Sequence, residues 1–416
     1  MLRRPQALAL TLALLAAPAA GAAEEPLPGS TAPVEKPRKQ QESQLQLRAL
    51  GGAFDGLGVR RESGGVALFE ADWKPTLSSD ASSVAFPLRF DHRQTFGASL
   101  NETTAGAGVD VDFRSGDVTT GPVAGAAYTW RPDWPDLYQP DGRGGLLATD
   151  RYSHSRWFAA WQLWDKLGDG KHLRLKVQYA RTNYKQDPNY DPAASIVHLA
   201  PRDNGEASFT GSFRKLTGAF AVAVRLQAFR RSYDELLAKK ADTGGTSRSD
   251  PKQVLYGAEP RLEGELKTKP VQITVGYGLL LQHDPFQGYY SYTGHHPYVQ
   301  ARLSPTRDLS LDASLSAKLL TYGPNSKSIS KVSTGVYDQG TEDGKRLWDD
   351  ELEVKAAARY RLVGGLSVVA EGSWKKRDTN YRDYVPGVYP PTATRPYDIR
   401  WDYTNVMITG GVEWAL

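Results

Sequence analysis

No cysteine occurs anywhere in the 416 residues. Disulfides, thiol chemistry, cysteine metal sites and a lipid-modified cysteine are thereby excluded. Long apolar runs are missing too. Beyond the N-terminus no stretch approaches the roughly 18 apolar residues of a membrane-crossing helix, and mean hydropathy is negative. A helical membrane protein is excluded. A soluble exported protein and a β-barrel both survive, because barrel strands alternate and are not hydrophobic on average. A strong charge of either sign is lacking as well: 51 Lys and Arg stand against 47 Asp and Glu. The net charge of +4 falls to +2 once residues 1–22, with Arg3 and Arg4, are removed. No nucleic acid partner follows from that balance.

What is abundant is aromatic, with 10 Trp and 21 Tyr. Both types suit bilayer interfaces and carbohydrate grooves. The N-terminus reads as a secretory signal. Arg3 and Arg4 precede a short apolar core from Ala7 to Ala19, and Ala20-Gly21-Ala22 gives the small-residue cleavage site. Residues 1–22 are therefore expected to be removed. Residues 23–43, rich in Pro and charge, are expected to be a disordered periplasmic leader. That leader is too short for a tetratricopeptide scaffold, whose repeats run to about 34 residues each. A single domain is expected over 44–416.

Within that domain, apolar residues recur at every second position. Val271, Ile273, Val275, Tyr277, Leu279 and Leu281 alternate with Gln272, Thr274, Gly276, Gly278 and Gln282. Leu309, Leu311, Ala313, Leu315, Ala317 and Leu319 alternate with Ser310, Asp312, Ser314, Ser316 and Lys318. A period of two places one face in an apolar medium and the other in a polar one. Runs this long suit tilted membrane strands better than soluble ones, which average about five or six residues. Between the runs, tight turns (167–170, 214–218, 267–270, 305–308, 363–365) alternate with long polar loops (131–152, 186–205, 234–252, 283–294, 322–349, 377–400). Short turns on one side and long loops on the other are the asymmetry of an outer-membrane barrel with its short side in the periplasm. The expected fold is all-β: one transmembrane antiparallel up-and-down β-barrel of about 16 strands, with 14 or 18 as alternatives. Its strands fall near 44–54, 64–74, 87–100, 106–114, 118–131, 153–166, 171–185, 206–214, 218–233, 252–267, 270–283, 295–304, 308–322, 350–362, 365–377 and 400–416.

The last of these runs from Val406 through Ile408, Gly410, Val412 and Trp414 to Leu416, flanked by Trp401 and Tyr403 at its other end. It resembles the closing strand of Gram-negative outer-membrane β-barrels, porin-like proteins in which the final residue is usually Phe or Trp. Here Trp414 and Leu416 stand in that place. In size, single-domain layout, lack of cysteine and basic, aromatic-rich character, the chain loosely resembles polysaccharide-export barrels of the alginate-export type and stand-alone export porins. That resemblance implies an outer-membrane location, outer-membrane lipid around the barrel, the barrel assembly machinery, and a separate periplasmic polysaccharide-export protein as partner.

If the apolar set faces lipid, the intervening set lines the lumen. Its basic members are Arg156, Arg174, Lys176, Arg225, Arg231, Arg261, Lys267, Arg302, Lys318, Lys355, Arg359, Arg361, Lys375 and Arg377. Its acidic members are fewer: Glu259, Glu263, Glu265, Asp312, Glu351, Glu353, Glu371 and Glu413. Clustered cationic walls concentrate anions and speed their entry. The plainer alternative is that these charges pair with one another and brace the barrel, Glu351 and Glu353 with Arg359 and Arg361, and the three β-strand glutamates at 259–265 with Arg261 and Lys267. Loop aromatics Trp130, Trp134, Tyr138, Tyr289, Tyr290 and Tyr292 could stack sugars at the outer mouth or form the aromatic girdle, and the girdle is favoured.

Other motifs weaken on inspection. Asp187, Asn189 and Asp191 open like a calcium loop, but Pro192 replaces the required Gly and His198 the closing Glu. His295 and His296 point to opposite faces of a strand and cannot share a metal. None of the seven His lies in a catalytic motif, so no enzyme, metal or cofactor is expected. The functions expected are, in order, an outer-membrane conduit for a secreted polysaccharide, a general or anion-selective porin for small solutes, and a non-conducting barrel that anchors a surface complex.

Overall fold

Residues that alternate between apolar and polar cannot bury one face as a helix would, and every long element here is a strand. The computed structural model describes residues 40–56, 62–98, 100–140, 146–186, 202–239, 249–324, 338–341, 346–385, 397–400 and 402–416. The signal segment, most of the leader, the calcium-like segment at 187–198 and Trp401 lie outside the described residues.

Sixteen antiparallel strands close into one up-and-down barrel. They are β1 (Gln40–Asp55), β2 (Ser63–Ser78), β3 (Ser82–Ala85 and Leu88–Phe96), β4 (Glu102–Ser115), β5 (Val118–Trp130), β6 (His154–Lys166), β7 (Lys171–Tyr184) and β8 (Asn204–Thr217). They continue with β9 (Phe220–Leu237), β10 (Lys252–Lys267), β11 (Val271–His283), β12 (Tyr292–Leu303), β13 (Leu309–Tyr322), β14 (Trp348–Arg361), β15 (Leu366–Thr379) and β16 (Tyr403–Ala415). Each pairs with its neighbour in sequence, and β1 pairs with β16 from Gln46↔Ala415 to Asp55↔Val406, so the described sheet has no free edge. The seam ends in a reciprocal pair of bonds, Leu45 N to Leu416 O at 3.1 Å and Leu416 N to Leu45 O at 2.8 Å.

Among the boundaries that differ from the sequence expectation, three have a clear local cause. β1 begins at Gln40, ahead of Gln44, because Gln40 to Ser43 pair with Pro75 to Ser78. β8 runs on to Thr217, so its turn is Gly218-Ala219 rather than 214–218. β3 is broken at Phe86-Pro87, where proline removes a ladder donor, and it stops at Phe96. The turn between β6 and β7 uses three consecutive left-handed residues, Gly168 (φ 77), Asp169 (φ 48) and Gly170 (φ 69). Glycine carries that backbone without strain, and Asp tolerates it. The long outer loops hold small ladders of their own: Trp134–Pro140 with Leu146–Thr149, and Asp338–Thr341 with Tyr381–Val385, which also pairs with Tyr397–Arg400.

Which face is inside follows from contacts that skip a strand. On the concave side of a closed sheet, next-nearest strands approach; on the convex side they splay. Arg48 on β1 reaches Glu371 on β15, and Lys74 on β2 meets Asp110 on β4 at 3.8 Å. Gln162 on β6 donates to Asp110 at 2.9 Å. His296 on β12 bonds Glu259 on β10 at 2.8 Å, and Arg359 on β14 meets Glu413 on β16 at 2.7 Å. All belong to the polar set, which therefore faces the lumen. The apolar set faces out and is heavily exposed, Ile408 at 64% and Val177 at 61%. Such a surface is an aggregation hazard in water and the natural one in lipid. Trp130, Tyr128, Trp157, Tyr179 and Tyr256 ring its loop end, and Trp73, Phe113, Phe220, Tyr360 and Trp414 its turn end. The chain is a transmembrane β-barrel of the outer-membrane type.

Tyr403 corrects one detail of the closing strand. It was expected to flank the strand as an interfacial aromatic, but its register partner is Arg377, and it shares the inward face with Asn405 and Glu413.

Candidate functional site

The lumen is the candidate site. The pairing register puts Arg156, Arg174, Lys176, Arg225, Arg302, Lys318, Lys355, Arg359, Arg361 and Lys375 on the inward face, together with Glu259, Glu263, Glu265, Asp312, Glu353, Glu371 and Glu413. Most of the cations are braced by carboxylates. Arg225 meets Glu263 at 2.9 Å, Arg302 meets Asp312 at 2.6 Å, and Lys355 meets Glu353 at 3.0 Å. Lys318 and Lys375 share Glu351 at 3.7 and 2.7 Å. The partners expected from one strand are only partly right. Arg261 does bind Glu259 at 2.8 Å, but Arg359 takes Glu413, and Glu265 takes Arg214. Residues eight apart on a strand are about 27 Å apart, whereas an adjacent strand is about 4.8 Å away, so cross-strand partners win.

Sequence reasoning missed the inward charges of β1–β4: Arg48, Lys74, Arg89, Arg93 and Arg114 with Glu70, Asp72, Asp91, Glu102, Asp110 and Asp112. Those strands alternate less cleanly because the outward face there includes His92 and Gln94 and the inward face includes Val66 and Leu68. This wall is charge-rich and slightly acidic. Arg48 binds Glu70 at 3.1 Å and also Glu371, tying the first strand to both sides of the seam. The wall formed by β5–β7 is different. Its inward positions include Arg156, Lys166, Arg174 and Lys176 and no Asp or Glu. There Arg174 lies over the ring of Trp164 at 3.9 Å, and Lys176 over Phe158 at 5.8 Å.

At the outer mouth the aromatic candidates part ways. Trp130 points outward and is exposed, as a girdle residue. Trp134 turns to the lumen side of the rim. Its ring lies against the guanidinium groups of Arg131 at 4.3 Å and Arg93 at 5.8 Å, and its Nε1 donates to Asn101 O at 2.9 Å. Glu102 accepts from Arg131 at 2.7 Å and completes the group. The Tyr138 side chain lies outside the described residues. Tyr289 is buried, so it offers no face to a sugar. The cause is the turn around Asp284, whose carboxylate accepts from the backbone N–H of Phe286 at 3.1 Å and Tyr290 at 3.3 Å. Tyr290 packs edge-on to Tyr289 at 5.1 Å, and Tyr292 faces inward against Tyr322 at 5.3 Å. On the outer rim Lys185 is hydrogen-bonded to Asp150, which holds its ammonium above the ordinary lysine range.

His295 and His296 separate as their parity requires: His295 bonds Tyr277 on the outer face and His296 bonds Glu259 inside. Among the described residues no group of three or more His, Asp or Glu is disposed to hold a metal ion.

No family model matches the sequence, and no curated protein matches it. Solved barrels are similar in shape. OmpT of Vibrio cholerae, described as expressed in the outer membrane, is 11% identical, with 92% of this chain and 99% of that one covered and a TM-score of 0.41. CdiB from Acinetobacter baumannii is 9% identical, with 91% and 60% covered and a TM-score of 0.44. A bacterial polysaccharide outer membrane secretin is 11% identical, with 90% and 98% covered and a TM-score of 0.41.

Proposed function

We propose that the protein is a passive conduit in the Gram-negative outer membrane, inserted by the barrel assembly machinery after its signal is cleaved near Ala22, through which an anionic secreted polysaccharide leaves the cell. A separate periplasmic export protein delivers the polymer. The carrying observation is the distribution of lumen charge. Carboxylates brace many of the cations, and the inward positions of β5–β7 carry Arg156, Lys166, Arg174 and Lys176 with no Asp or Glu among them. A wall of predominantly one sign raises the local concentration of anions along the path.

Clean deletion, scored for secreted polymer and for small-solute uptake, tests the cargo. Loss of polymer supports export; unchanged polymer with slowed uptake overturns it. In planar bilayers, replacing Arg359, Arg361 and Lys375 by Gln should lower anion preference, and unchanged selectivity would refute the lumen assignment. A porin for small anions is the second reading. Trp134 favours it, because it roots the 131–152 loop on the lumen side of the rim, where a constriction would sit.

A further inference from the structure

Two lysines break the pattern of the outward face. Lys171 opens β7 and Lys215 lies near the end of β8, and they alternate with the inward His172 and Arg214. Both side chains therefore point to the lipid side of the barrel, at its turn end. They are register partners. The bond from Leu216 N to Gly170 O at 2.8 Å makes theirs a non-hydrogen-bonded pair, the closer of the two kinds, with Cα atoms about 4.5 Å apart. Like charges directly opposite one another destabilise a sheet.

Nothing in the protein relieves that repulsion. Among the described residues neither lysine takes part in an ion pair or a side-chain hydrogen bond. Asp165 points outward on the neighbouring β6, and Asp169 sits in the turn, but neither closes on the pair. The surroundings are apolar, with Leu167, Phe213, Phe220 and Val222 all exposed. Outward cations at the loop end are arranged differently. Arg181 holds Asp234, and Lys376 holds Asp378 at 2.7 Å. Arg230 has Ala207 and Tyr256 as register partners, not a second cation.

The connection between β7 and β8 runs from Tyr184 to Asn204, at the loop end. At the turn end the two strands belong to separate hairpins, so repulsion between the lysines acts to part them. An anion held between the two ammonium groups would bridge the hairpins instead. Where an apolar belt meets water at the edge of a bilayer, the anion at hand is the phosphate of a lipid headgroup. Lysine reaches it by laying its stem along apolar surface with its ammonium group at the interface.

We propose that Lys171 and Lys215 together clamp the phosphate of an anionic phospholipid, on the outward face of β7 and β8 at the turn end. The site does not depend on what the lumen carries.

The test follows unfolding of the full mature barrel by denaturant in vesicles of phosphatidylcholine, alone and mixed with phosphatidylglycerol. General attraction to an anionic surface strengthens binding about fivefold per Lys or Arg, so the control must lose charge as well. K269Q/R307Q does so, at exposed residues of other turns on the same end. K171Q/K215Q should lose about tenfold more of the phosphatidylglycerol gain than K269Q/R307Q, and K171R/K215R should keep it. Equal losses in the two Gln pairs would overturn the clamp and leave only general surface charge. In dodecyl maltoside micelles, which carry no phosphate, K215Q relieves the repulsion and should melt no lower than wild type. A lower midpoint would show that the lysines already have a partner within the protein, and would overturn the site. Inorganic phosphate added to the micelles at constant ionic strength should leave the difference between wild type and K171Q/K215Q unchanged. A wild-type midpoint raised by phosphate alone would assign the pair to a free anion and overturn the lipid assignment.

Discussion

The two faces of β11 are distinguished by a pair of adjacent substitutions, Val275→Arg and Thr274→Arg. Both sites lie in the middle part of the strand, at nearly the same depth. Val275 points outward between Gly264 and Val299 and is 58% exposed. Thr274 points inward, opposite Glu265 and Gln300. An arginine on the lipid face near the bilayer midplane costs about 2–4 kcal/mol, falling towards zero at the interfaces. Val275→Arg should therefore weaken folding into vesicles by about 30- to 1000-fold, since each 1.4 kcal/mol is tenfold. Thr274→Arg enters an aqueous lumen beside a carboxylate. A cross-strand pair of opposite charge contributes about 0.2–1 kcal/mol, so this variant should stay within about 1 kcal/mol of wild type. The assay is reversible unfolding by denaturant in phospholipid vesicles, followed by tryptophan fluorescence. Equal costs, or a larger cost at Thr274, would show that the inward and outward faces have been exchanged.

Two further outcomes follow from packing and from the mouth. A methyl group on Gly276 would overlap the ring of Tyr298, which donates a hydrogen bond to Glu263, so Gly276→Ala should cost about 1–3 kcal/mol by overpacking. Gly264 has open space around its Cβ position, and Gly264→Ala should be neutral or gain up to about 1 kcal/mol; the same vesicle assay separates the two, and similar effects at both sites would refute the packing argument. Trp134→Ala removes two cation–π contacts and one hydrogen bond at the root of the 131–152 loop, about 1.5–3 kcal/mol together. Single-channel recordings should then show more frequent current fluctuations, and a trace as quiet as wild type would mean that the loop root does not border the path.

Much of the barrel is legible in the alternation alone. Strands such as β11 and β13 are readable because their outward residues are apolar up to the last, His283 and Thr321, and each is entered by a short turn. β3 is less so: His92 and Gln94 point outward, and Phe86-Pro87 interrupts the ladder. Period-two reading fixes which residues share a face but not which residues on other strands they meet. Glu413 illustrates the limit. Its inward direction follows from parity, whereas its partner Arg359 lies two strands away and depends on curvature. Tyr289 shows the other limit, since its burial depends on the Asp284 turn and not on periodicity.

The seam makes a demand on the lumen charges that the hairpins do not. Closure requires β1 to stay registered against β16, and unpaired edges would invite other chains. Arg48 secures that seam from within by holding Glu70 on β2 and Glu371 on β15, while Arg359 holds Glu413 on β16 itself. Similar braces occur away from the join, as Arg302 with Asp312 between β12 and β13, but there a tight turn already sets the register of the two strands. Between β1 and β16 no turn does so, and the ladder with its braces holds the register unaided. Arg48→Ala should therefore lower stability in the vesicle assay more than Arg302→Ala, whose loss removes an ordinary cross-strand pair of about 0.2–1 kcal/mol. Equal costs for the two variants would refute the special demand of the seam.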